Sequence, residues 1–147
     1  MSNDGKALER LVAQIEKTLV SNDVLVDSPK RLPDRVTGKL REHDVVLTFK
    51  QGNHTAMDAI ECRDRSRPIG VPEVEAFHTK CSDTKIQKGI MVSTSGFYKT
   101  ARTKATHYDI RCIELNELNS LDWLIEIKML YKQAIPVDVF YKLFFDD

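Results

Sequence analysis

"AIECRDRS", residues 59–66, decides how this chain is read. Ala59, Ile60 and Cys62 are apolar and enclose Glu61, and Arg63, Asp64, Arg65 and Arg67 crowd the far end. A strand that runs from a core into charges costs desolvation energy unless those charges have partners or a task. Side chains alternate along a strand, so Met57, Ala59, Glu61 and Arg63 share one face while Ile60 and Cys62 take the other. The stretch therefore places a carboxylate and a guanidinium side by side at the end of a buried strand.

Working outward, residues 41–49, "REHDVVLTF", read as the preceding strand, and "KQGNHT" reads as the turn between the two. Asp44, Val46 and Thr48 fall on one face of 41–49. Paired strands lie ~4.8 Å apart, so Asp44 and Glu61 converge, with carboxylates expected within ~6 Å of each other. Two carboxylates that close repel unless a cation sits between them. Mg²⁺ takes oxygen ligands and suits two carboxylates plus a phosphate. The bland alternative is a surface salt bridge at a strand end, worth ~0–1 kcal/mol.

The rest of the chain frames this pair. Residues 5–20 carry Ala7, Leu8, Leu11, Val12, Ile15, Leu19 and Val20 at helical spacing, with Glu9 at the edge of the stripe. A short strand follows at 23–27, then a proline- and glycine-bearing loop or hairpin arm, "SPKRLPDRVTGK". After "RSRPIG" the pattern turns helical over 71–81, with Pro72 tolerated in the first turn. "KGIMVS", 88–93, reads as a buried strand, 97–107 as a helix, 109–115 as a strand and 116–131 as a helix. The tail "IPVDVFYKLFF" reads as a further strand. The order implies an α/β fold with a mixed central sheet flanked by helices, α-β-β-β-α-β-α-β, over residues 1–115. Residues 116–147 would form a helix and strand extension.

Composition narrows the class. The 147 residues are 41% hydrophobic and 30% charged with zero formal net charge, which argues against a generic nucleic-acid coat. Apolar runs fall short of the ~20 residues of a membrane span. Cys62, Cys81 and Cys112 lack CxxC spacing and read as reduced, buried thiols of a cytoplasmic protein. His43, His54, His78 and His107 show no metal-ligand spacing. Basic residues cluster at Lys30–Arg41, five against one acid, and at Lys99, Arg102 and Lys104. "STSG", Ser93–Gly96, reads as a strand end opening a helix whose backbone N–H groups, near Ser95, would suit a phosphate; a plain helix cap is the equal alternative. Glu75, on the helix at 71–81 after the charged strand, reads as an exposed acid, with a contribution to the site as the alternative.

Several segments together resemble the PD-(D/E)xK nuclease superfamily, in its Mrr-like restriction endonuclease branch. "ALERLVAQIEKTL" is similar to that branch's opening helix, "REHDVVL" to the strand with the metal-binding aspartate, and "AIECRDRSRPIGVPEVEAFHTK" to its glutamate strand and following helix. "KGIMVSTSGFYKTARTKATHYDIRCIEL" resembles the segment that comes next. The likeness spans about residues 5–115. It implies a Mg²⁺- or Mn²⁺-dependent DNA endonuclease acting on double-stranded DNA. Asp44 and Glu61, with the Cys62 carbonyl, would hold the metal, and Glu9 would orient water or a second ion. Arg63 would stabilise the transition state, and Ser95, Lys99, Arg102 and Lys104 would meet DNA. The branch usually has lysine where Arg63 stands; arginine keeps its charge and does not act as a base. Lys50 and Lys80 are the candidate substitutes. The opposing expectation is a nuclease-fold module that binds DNA or protein without cleaving. A third is an interaction domain whose strands at 109–115 and 135–145 pair with another chain. The aromatic "VFYKLFF" of the tail suggests a homodimer contact.

Overall fold

The computed structural model describes residues 6–18 and 24–114. The expected extension at 116–147 lies outside the described residues. Ten elements follow in order: α1 Lys6–Thr18, β1 Val24–Asp27, β2 Lys30–Pro33, β3 Leu40–His43, β4 Val45–Gln51, β5 His54–Arg63, α2 Val71–Asp83, β6 Lys88–Ser93, α3 Lys99–His107 and β7 Arg111–Glu114. Five strands form a mixed sheet in the order β1-β4-β5-β6-β7, and β2 and β3 form a separate two-stranded hairpin. The pairs β1–β4 and β4–β5 are antiparallel; β5–β6 and β6–β7 are parallel, each joined through a helix.

Two apolar layers sandwich the sheet. On one face Ala7, Leu11 and Ile15 of α1 pack on Val45, Leu47, Phe49, Ile60, Ile90, Val92 and Ile113. On the other face Val74, Phe77 and Cys81 of α2 and Ala101 and Ala105 of α3 pack on Val46, Ala59 and Met91. β6 is buried on both faces, which is why its sequence reads as an unbroken apolar run rather than an alternation. Gly89 on β6 is required by this packing. A Cβ there would lie 2.7 Å from Phe77 Cε2 and 3.3 Å from Cys81 Sγ, so its absence lets α2 settle onto the sheet.

The mixed sheet matches the expectation, and so does the hairpin arm, but two local readings are corrected. Residues 41–49 are not one strand. The chain leaves the hairpin at His43 and enters the main sheet at Val45, with Asp44 as the joint. The cause is a change of packing partner. His43 is buried towards α2, with Nε2 2.9 Å from Thr84 Oγ1, whereas Val45 is buried towards α1. The arm at 28–39 contributes a strand of its own, β2. Its turn is fastened by the Asp34 carboxylate, which accepts from the Val36 and Thr37 N–H groups at 2.8 and 3.1 Å. α3 begins at Lys99, so "STSG" does not open it. Gly96 takes φ +83° there, and Phe97 bridges to Ile69 before the helix starts.

Candidate active site

Asp44 and Glu61 meet because Asp44 sits one residue before Val45, and Val45 pairs with Ile60. Asp44 Oδ2 accepts a hydrogen bond from the Cys62 N–H at 2.8 Å. Its Oδ1 has no hydrogen-bond partner among the described residues. Burial raises the Asp44 pKa above the usual carboxylate range. The Cys62 N–H opposes that, the Glu61 charge adds to it, and Lys80 and Arg63 counter it. These last effects place one carboxylate and two cations within electrostatic reach of Asp44.

Glu61 is only 5% exposed. Such burial needs compensation, and each of its oxygens has a cation. Oε1 accepts from Lys80 Nζ at 3.0 Å, and Oε2 lies 2.7 Å from an Arg63 terminal nitrogen. The Lys80 ammonium also donates to the Glu42 carbonyl at 3.0 Å, just before the joint at Asp44. Arg63 faces a second acid, Glu73, with Nε 3.5 Å from Glu73 Oε2 but without hydrogen-bond geometry. Arg65 joins the same oxygen at 3.3 Å. Glu73 is placed by its other oxygen, which accepts from the Gly70 N–H at 3.4 Å in the first turn of α2.

Glu73 and Lys80 are the two residues that the strand pattern does not reveal. A signal for Glu73 exists: a glutamate three residues after the glycine that starts a helix suits a capping box. Glu75, two residues on, faces away and pairs with Lys104 at 3.5 Å as an exposed acid. Lys80 carries no such signal, since its reach depends on the tilt of α2 against the sheet.

The residue model for the Mrr_cat restriction endonuclease family matches residues 2–121. The chain belongs to this family. Members of the Mrr_cat family generally use a divalent metal ion. No curated protein matches the chain. Among solved structures, an uncharacterised protein, AF1548, is similar at 14% identity with a TM-score of 0.57, over 74% of this chain and 56% of that one. The DNA modification-dependent restriction endonuclease AspBHI is similar at 17% identity with a TM-score of 0.53, over 78% of this chain and 29% of that one. The MspJI restriction endonuclease, solved with a 27-mer oligonucleotide, gives a TM-score of 0.49 at 13% identity, over 79% of this chain and 27% of that one. The chain shares its fold with the first two. The chain spans little more than half of the first structure and under a third of the second.

The other expected site residues are dispersed around this centre. Glu9 is exposed on α1, whose buried side packs on the sheet face opposite α2. The Ser95 N–H donates to Ser93 Oγ at 3.1 Å, and its hydroxyl donates to the Arg65 carbonyl. Arg102 pairs with Glu114 at 3.1 Å and lies over the Phe97 ring. Lys104 pairs with Glu75 and lies over Tyr108. Lys99 is exposed at the start of α3. The three cysteines are free thiols, with Cys62 and Cys81 pushed up to about 12 and Cys112 to about 11, chiefly by burial. Thiols so poor in thiolate are inert packing groups. Among the described residues no helix is long and apolar enough to cross a membrane.

Proposed function

We propose that this domain is a Mg²⁺-dependent endonuclease that hydrolyses phosphodiester bonds of double-stranded DNA, in restriction or DNA processing. The proposal is supported by Asp44, at the joint between β3 and β4, being held by the Cys62 N–H and feeling the charge of the adjoining Glu61, in a chain of the Mrr_cat family. The donor set fits a hard divalent cation. Asp44 offers a carboxylate oxygen with no other partner among the described residues, and Glu61 offers a carboxylate now balanced by two monovalent cations. Among the described residues no third acid, histidine or cysteine completes a cluster, so water, the Cys62 carbonyl and the substrate phosphate would fill the remaining positions. When bound, the metal would polarise the phosphodiester and lower the pKa of a coordinated water.

The chain's own residues supply the rest. Asp44 and Glu61 would hold the ion. The Cys62 N–H holds the Asp44 carboxylate in place by its other oxygen. Arg63, braced between Glu61 and Glu73, presents a planar guanidinium suited to clamping a phosphate oxygen. Glu9 is proposed as a water-orienting group reaching in from α1. Lys99 is available for a DNA phosphate, and Arg102 and Lys104 would exchange their glutamate partners for phosphates near Ser95. A cytoplasmic location, a homodimer through the tail and a distinct extension at 116–147 belong to the same proposal.

Arg63 in place of lysine supports a second reading, a module that keeps the fold and binds without cutting. Plasmid nicking separates the two. With Mg²⁺ or Mn²⁺ the wild-type protein should nick supercoiled DNA, and EDTA or Asp44→Asn should abolish it. Equal nicking by wild type and Asp44→Asn would overturn the nuclease reading. A silent wild type that gains nicking through Arg63→Lys alone would establish the binding module.

A further inference from the structure

We infer that Lys80 is the catalytic ammonium of this site, delivered from α2 to the place that a lysine on β5 would otherwise serve. The inference rests on the nuclease reading and deepens it. Arg63 occupies the strand position as a permanently charged, planar guanidinium braced between Glu61 and Glu73, not as a compact ammonium. Lys80 brings a compact ammonium to the other oxygen of Glu61, 3.0 Å away. A lysine ammonium has three donor hydrogens. Two point at Glu61 and at the Glu42 carbonyl, which leaves one for a water or a phosphate oxygen. The side chain is only 15% exposed, so the field of its ammonium is weakly screened by solvent. Its charge also acts on Asp44, so it lies within reach of both acids of the pair.

The position is built. Thr84 Oγ1 donates to the Lys80 carbonyl at 2.7 Å and meets His43 Nε2 at 2.9 Å, tying the last turn of α2 to β3 beside the joint. The bare Gly89 fixes how closely α2 approaches the sheet. A helical side chain leans towards the N-terminus of its helix. Lys80, near the C-terminal end of α2, therefore reaches back along the sheet to Glu61, which stands near the C-terminal end of the parallel β5.

The role is electrostatic. Water oxygen bonds to phosphorus as the P–O bond to the leaving sugar oxygen breaks. The water's proton passes to solvent, and the leaving oxygen takes a proton from solvent. Lys80 orients that water and opposes the negative charge that grows on the phosphate oxygens, and its own protons stay in place.

The full chain tests this by plasmid nicking with Mg²⁺ and Mn²⁺, Mn²⁺ titration calorimetry and thermal unfolding. Lys80→Met should slow nicking by two to three orders of magnitude while Mn²⁺ binding persists, because the carboxylates remain. Lys80→Gln, which keeps a donor for Glu61, should do the same and serves if the methionine variant unfolds. Arg63→Lys added to Lys80→Met should recover most of the lost rate by restoring an ammonium from the strand. Nicking by Lys80→Met and Lys80→Gln as fast as wild type, or no recovery in the double variant, would overturn the role of Lys80 and leave the nuclease reading standing. A wild type that binds Mn²⁺ but cuts no DNA with either metal would end both.

Discussion

Asp58 and Glu61 are both acids of β5, three residues apart and both nearly sealed from solvent, at 1% and 5% exposure. Their surroundings differ completely. Glu61 faces α2, and each of its oxygens meets a cation. Asp58 shares the opposite face with Ile60, and its Oδ1 has no hydrogen-bond partner among the described residues. Burial raises the Asp58 pKa to about 7, against the opposing charge and backbone N–H of Lys88. At Asp58 burial outweighs the Lys88 contributions and favours the neutral acid. At Glu61 each oxygen instead has its own cation. The contrast shows why apolar flanks around an acid do not by themselves mark a site.

The largest expected effect tests that contrast directly. Glu61→Leu strands Lys80 and Arg63 without their shared carboxylate and should cost ~3 kcal/mol or more in urea unfolding. Asp58→Leu removes an acid that burial already penalises, so at pH 8 it should cost much less or stabilise. Equal losses would break the comparison.

A pH series sharpens it. Asp58 takes up its proton at about 7 in the folded state and near the ordinary value of 3.8 when unfolded. Between those values the native state holds the extra proton, so stability falls as pH rises from about 4 to about 7. His43 does the reverse. Burial, with help from the Lys80 and Arg41 charges and against that of Glu61, lowers it from 6.5 to about 4. There the unfolded chain holds the extra proton, and stability rises with pH over about 4 to 6.5. The two slopes oppose each other in the wild type. In EDTA, Asp58→Asn should unmask a rise of roughly 1.4 kcal/mol per pH unit, and His43→Gln a fall of similar size. Parallel curves for the two variants would refute this account.

The smallest effect concerns α3. Arg102 is already paired with Glu114, so Arg102→Ala should change stability by ~0–1 kcal/mol. If Arg102 trades that partner for a phosphate, the variant should also flatten the slope of log K for DNA against log salt by ~0.9. An unchanged slope would place DNA on another face.

Much of the fold was legible. Helical periodicity at Leu11 and Ile15, and at Val74, Phe77 and Cys81, marked the buried sides of α1 and α2 correctly, and the apolar run of β6 marked the sheet centre. The meeting of Asp44 with the glutamate strand was legible from pairing. The division of 41–49 was not, because His43 and Val45 keep strand alternation while packing in different layers. The start of α3 was misread because a Ser/Thr/Gly run resembles a cap, whereas Gly96 bends with Glu114 packed against it. Lys80 was a bare candidate, since only the helix-to-sheet distance set by Gly89 brings it to Glu61.

That distance in sequence has a temporal side. Glu61 and Lys80 stand 19 residues apart and on different elements. β4 and β5 pair through a tight turn at Gly52, so the two carboxylates are juxtaposed by local contacts. The ammonium comes with α2, and the helix is seated only when β6 adds its parallel, longer-range pairing, the slower kind of step. A chain emerging from its N-terminus passes first through a stage with two acids facing each other and no lysine between them. Closure of the sheet then also completes the charged cluster, and a half-made chain carries the two acids without the lysine.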